Sequence, residues 1–280
     1  MNPGAMFWSL RRELWEYRSI YIAPLALAAV IVFGSLFAAF VGFWTGGVKF
    51  HVQSDKLAQP YDFAALLLMG TTFIIAVFYC LDTLHGERRE RSILFWKSMP
   101  VSDLTTVLAK AAIPLAVLPL LTFAITIATQ FIMLLLSSAV LLMTGHSLAA
   151  LWTRLPVYEM WSGLLYHLIT VHSLYYAPIF GWLLLVSAWA RRVPFLWAFL
   201  PPAAIGMFEK MAFNTSHFGR MLASRISGGM EEDAAAKGAS MLGHAHPLEF
   251  LSSPGLWIGL AVTAAFLAGA VRLRRYRGPI

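Results

Sequence analysis

Charge is scarce in this sequence, and cysteine is nearly missing. Only 12% of its 280 residues are Asp, Glu, Lys or Arg, against 59% hydrophobic residues, and the mean hydropathy is +0.69. That balance argues against a soluble globular chain and for a membrane protein. Cys80 is the single cysteine and falls inside an apolar run, so no disulfide can form within the chain and the redox compartment is not legible. No G-x-x-x-x-G-K-[ST] phosphate loop is present. The nearest stretch, Gly46-Gly47-Val48-Lys49, lacks the spacing and the hydroxyl residue that holds magnesium. Any nucleotide chemistry therefore belongs to a partner chain.

Asp, Glu, Lys and Arg are also missing from the interior of every long apolar run. Proton-coupled and many ion-coupled carriers bury an acid or a base that titrates or coordinates. Its absence here points to an energy source outside the membrane. The net charge of +7 does not indicate nucleic acid, because the basic residues flank apolar spans and form no separate basic domain.

What is present is a series of uncharged stretches near the roughly 20 residues needed to cross a bilayer. They lie at 20–44, 63–81, 111–143, 164–189, 194–208 and 254–271, predicting an all-α integral membrane protein with six transmembrane helices in a single domain. The third is longer than one crossing needs, with Pro114 and Pro119 as bend points, and the fifth is short and expected to be partly broken at Pro201 and Pro202. Residues 1–19 predict an amphipathic interfacial helix carrying Phe7, Leu10, Leu14 and Tyr17 on one side, flanked by Arg11 and Arg18. The uncharged run that follows exceeds the core of a cleaved signal peptide. Basic residues gather before the first span, between the second and third (Arg88, Arg89, Arg91, Lys97, Lys110), at Arg191 and Arg192, and after the last (Arg272, Arg274, Arg275, Arg277). This places both termini in the cytoplasm. Residues 209–253 then form a long outer loop, expected to be loose at its centre.

The densest mixture of charges lies in 82–110, between the second and third spans. Residues 82–91 are expected to continue the second span as a helix into water, with Glu87 and Arg91 at the favourable i,i+4 spacing. The apolar segment Ile93-Leu94-Phe95-Trp96 follows; Pro100 then ends the helix, and Ser102 is placed to cap the next one, with Asp103 at its positive end. Such an apolar face rests on lipid, on the chain's own helices, or on a docked protein.

Glu87, the run from Ser92 to Ser98, Met99-Pro100-Val101-Ser102 and Ala109-Lys110 resemble, in that order, the segment between the second and third spans of type-2 ATP-binding-cassette exporter permeases. The amphipathic start, six spans, long last outer loop and basic tail extend the likeness to the whole chain. Where that family often has glycine before the apolar run, this sequence has Arg91. The resemblance implies that Glu87, Arg88, Arg91, Ser92, Phe95, Trp96, Lys97, Pro100 and Ser102 form an ATPase-coupling segment. It implies a separate cytoplasmic ATPase that carries ATP and magnesium, with no cofactor on this chain, and a second permease subunit, identical or not. The location it implies is a bacterial inner (plasma) membrane, with lipid as a further partner and no nucleic acid. Phe95 and Trp96 are the expected anchor pair; the alternative is that they bury into the chain's own helices.

The outer half of the fourth span is rich in polar groups, and Tyr166, His172 and Tyr176 are candidates for a substrate path, with helix packing as the competing role. An apolar lining is compatible with amphiphilic cargo. His244 and His246 make a weak metal pair without nearby patterned ligands. A membrane enzyme built on His146, Glu159, His167 and His172, or a non-catalytic membrane anchor subunit, are the rival functions.

Overall fold

The computed structural model describes residues 3–44, 57–98, 101–144, 148–226 and 252–278. Pro100, His146, His244 and His246 lie outside the described residues, as does the centre of the expected outer loop. Among the described residues every regular element is helical. In chain order these are α1 (Pro3–Glu16), α2 (Ser19–Trp44), α3 (Gln59–Arg89), α4 (Ser92–Ser98) and α5 (Asp103–Ala112). A π-helical turn, Ile113–Val117, leads into α6 (Leu118–Met143), followed by the short α7 (Leu148–Arg154) and α8 (Val157–His167). A second π-helical segment, Leu168–Tyr175, leads to α9 (Ala177–Trp189), then α10 (Pro194–Phe213), α11 (His217–Ile226) and α12 (Pro254–Tyr276).

Four stretches are long and apolar enough to cross a membrane: Ser19–Val41, Gln59–Arg89, Asp103–Met143 and Pro254–Tyr276. A fifth arises if Val157–Tyr175 and Ala177–Trp189, bent by 44° at Tyr176, count as one broken span. The third run continues as one helical stretch from Asp103 to Met143, and Pro114, which has no N–H to return to the preceding turn, sits in its widened π-helical turn.

Three expectations are corrected. α10 runs unbroken through Pro201 and Pro202 as far as Phe213, but with Glu209 and Lys210 at its end it is not among the helices long and apolar enough to cross a membrane. The first part of the expected outer loop is ordered: Asn214 turns the chain with φ 52°, and Glu209 accepts from the backbone N–H groups of His217 and Phe218 at 2.7 and 2.9 Å, capping α11. The apolar stripe expected to face the membrane interface instead packs on the core through Leu10 and Leu14 of α1 and Tyr17 just after it, whereas Phe7 stands exposed.

The core sits where α9 crosses α3 and α12. Phe180, Leu184 and Val186 are buried against Ala76, Cys80 and Leu84, with Ile20 of α2 and Ala270 of α12 closing the cluster. Gly181 lets α12 approach: a methyl group there would lie 3.3 Å from Thr263 Cγ2 and 3.5 Å from Phe266 Cβ. In apolar surroundings such small-residue contacts bring helix backbones together. Ser187 bonds into α3 itself, donating to the Leu81 carbonyl at 2.8 Å and accepting from the Leu84 and His85 N–H groups at 3.2 and 2.9 Å. It fixes α9 against the same turn of α3 that carries the charged elbow.

Candidate functional site

The elbow between α3 and α5 is built by three local devices. α3 closes with Glu90 N–H donating to Gly86 O at 2.9 Å, and Arg91 then takes the left-handed conformation, φ 60°. This is the conformation glycine adopts without strain, and it occurs where the resembling family often has glycine. Ser92 opens α4, and Ser102 caps α5 by accepting from Thr105 N–H at 3.1 Å, as its position predicts.

α4 presents two unlike faces. Ile93 is buried and holds the helix to the bundle, while Leu94 and Phe95 are 59% and 58% exposed. The expected Phe95–Trp96 pair is divided: the rings meet edge to face at 5.0 Å, but Trp96 is half-buried, with the Arg12 guanidinium 4.0 Å from its ring centre. Lys97 reaches the end of α12, donating to the carbonyls of Arg275 and Arg277 at 3.3 and 3.4 Å, a favourable place for a cation.

Behind α4 lies a buried ion network that joins α1, α3, α5 and α12. Lys110 Nζ, fully buried, lies 2.8 Å from Glu13 Oε1, 3.1 Å from Glu87 Oε1 and 2.7 Å from Thr83 Oγ1. Arg274 pairs through Nη1 with Glu87 Oε2 and through Nε with Asp103 Oδ1 at 3.1 Å. Arg12 Nη2 bridges Glu13 and Glu87 at 2.5 and 3.1 Å, and Tyr79 and Thr83 donate to Glu13 Oε2 at 2.8 and 3.2 Å. Glu13, Glu87 and Asp103 thus face Arg12, Lys110 and Arg274, with Glu16 at the half-exposed edge 3.8 Å from Arg12 Nε. Burial alone would raise the Glu13 carboxyl, but the Lys110 ammonium and the Arg12 guanidinium outweigh it and hold the group at about 2.

This placement corrects the expectation of a solvated charged helix. Glu87 and Arg88 are buried, and Glu87 does not pair with Arg91, because the left-handed turn removes Arg91 from the helical register. Arg88 instead donates from Nη1 to the carbonyls of Ala188 and Ala190 at 2.8 and 3.2 Å, closing the end of α9. Sequence reasoning missed Glu13 and Arg274 as members of the site and read Lys110 only as a boundary residue. The available signal was Glu13 itself, three residues after Leu10 and four before Tyr17, an acid on the helix face that packs inward.

The fourth span carries a second constellation. Tyr166, His172 and Tyr176 all lie along the π-helical segment and its ends, and π-helical turns are frequent at functional sites. His172 is 2% exposed, its ring 5.9 Å from Tyr176 and 5.6 Å from Phe180, and neither its Nε2 nor Tyr166 Oη has a hydrogen-bond partner. Tyr176 is engaged, donating to Ile226 O at 3.1 Å, and Arg225 donates to the Tyr175 carbonyl at 3.1 Å across the break. Among the described residues, no three His, Cys, Asp or Glu side chains converge as metal ligands.

No protein-family model matches the chain, and comparison with curated proteins and with solved structures likewise finds no match.

Proposed function

We propose that this chain is the membrane-spanning permease subunit of an ATP-driven exporter of the type-2 ATP-binding-cassette kind. It has six spans with both termini in the cytoplasm, with α10 as the fifth crossing and α12 as the sixth. α1 lies in the inner interface, where Arg11 sits over the exposed rings of Trp8 and Trp15. A separate cytoplasmic ATPase, with its ATP and magnesium, grips α4, and a second permease subunit completes the path.

The observation that carries this reading is the pair Leu94 and Phe95, exposed on a helix whose other side is held through its own Trp96 to Arg12 and the ion network. A push on α4 passes through Glu87, Lys110 and Arg274 to α3, α5 and α12 together, as a coupling element requires. The glycine-like turn at Arg91 adds support, since it accounts for the one departure from the family pattern. The cargo path would follow the broken fourth span past His172.

Purification from the native membrane, with identification of bound proteins, tests the proposal. A stoichiometric partner bearing a phosphate-binding loop is expected. Leu94→Ala with Phe95→Ala should abolish its retention while the melting temperature stays unchanged. Uphill transport or chemical turnover by the chain alone in liposomes would refute the reading.

A further inference from the structure

A cavity of about 640 Å³ lies on the opposite side of α3's inner end from the ion network, against the turn that joins α9 to α10. Its rim is cationic. Arg191 and Arg192 are exposed on that turn and take part in no ion pair among the described residues, and Arg89 contributes a third guanidinium, with only a long 3.4 Å contact to Glu90. The one acid on the wall, Asp82, already accepts from Tyr17 Oη at 3.2 Å. His85 also lines the cavity but is 7% exposed, with its Nε2 closed to solvent, so it shapes the wall rather than offering a ligand group.

The lower wall is apolar. Phe78, Val193 and Phe195 line it and are 60%, 60% and 54% exposed, so the floor continues onto the outer surface of the helices. Val193 holds φ 46°, a left-handed geometry costly for a β-branched residue, and it places Arg191 and Arg192 beside the end of α3. Guanidinium groups above an aromatic floor, at the junction of a charged turn with two apolar helices, match an amphiphile with an anionic head and hydrocarbon tails. A free phosphate would satisfy the rim and leave the floor bare.

We infer that this cavity binds the headgroup of an anionic phospholipid. The phosphodiester sits between Arg191, Arg192 and Arg89, and an acyl chain runs along Phe78 and Phe195. The inference rests on the apolar helices lying in a membrane and is independent of any ATPase partner.

The test uses the full-length protein in neutral detergent, titrated separately with phosphatidylglycerol, phosphatidylcholine and inorganic phosphate. Phosphatidylglycerol is expected to raise the melting temperature by about 3 °C or more over phosphatidylcholine. Arg191→Gln with Arg192→Gln should remove that difference, while Arg220→Gln, on α11, keeps it. The single variants should each weaken the preference, and they decide the matter if the double variant does not purify. Equal shifts with both lipids, or an undiminished preference in the arginine variants, would overturn the site. The same shift with inorganic phosphate alone would make it a free-anion site and overturn the lipid assignment.

Discussion

Lys110 Nζ lies 2.8 Å from Glu13 Oε1, with both side chains closed to solvent, although 97 positions separate them. This contact fastens α1 to the start of the third membrane-length helix. Taking charges out of water costs several kcal/mol each, so the pair holds only because Glu87, Thr83, Arg12 and Tyr79 complete its hydrogen bonding.

Removing one partner should therefore be costly. Lys110→Met leaves Glu13 and Glu87 facing each other with one cation fewer, and it is expected to lower stability by about 3–5 kcal/mol. Glu13→Gln in the same background should recover part of that loss. Denaturation in detergent measures both, and strict additivity of the two losses would contradict the shared network.

Acid should loosen α1. The Glu13 carboxyl titrates at about 2 in the folded chain against 4.5 as its ordinary value, so its stabilising contribution is complete above pH 4.5. It is lost as pH falls from 4.5 toward 2, because the unfolded chain takes up the proton first. The melting temperature of the wild type is expected to fall more steeply over that window than that of Glu13→Gln.

Arg91 carries the cost of a side chain in left-handed backbone at φ 60°. Arg91→Gly should stabilise the chain by about 1 kcal/mol, and Arg91→Val should destabilise it, since branching at Cβ worsens the same clash. Thermal melts of the two variants should move in opposite directions.

His172 is buried with no partner at Nε2, so its imidazole contributes volume rather than a hydrogen bond at that atom. His172→Phe is expected to change stability by less than about 1.5 kcal/mol, and His172→Ala to cost about 2–4 kcal/mol through the space it leaves. A substrate-path role then shows as transport lost in His172→Phe at normal abundance.

The single buried cysteine makes topology testable. In a Cys80→Ala background, cysteine placed at exposed Ser162 should react with a membrane-impermeant maleimide in intact cells. Cysteine at exposed Ser98 should react only after the cells are opened. Labelling of both from outside would refute the proposed orientation.

The helices were legible because their cause is local. Uncharged runs near 20 residues show as composition, Ser102 stands at its cap position, and Pro114 marks the irregular turn. The elbow was found as a charged segment but misread as solvated. An i,i+4 pattern applies only while a helix continues, and α3 stops two residues before Arg91. The break at Tyr176 was not anticipated either, although Pro178, at the start of α9, was its mark in the sequence.

By itself, then, the sequence determined that the chain is helical, apolar enough for a membrane, and charged between its second and third long runs. Only the tertiary structure decided that Glu13, Glu87, Lys110 and Arg274 meet in one buried network, and that Leu94 and Phe95 face outward while Trp96 does not. The physical reason is distance along the chain. Hydropathy and capping act over a few residues, whereas the partner of a buried charge is chosen by how four helices pack, and no window on the sequence spans that choice.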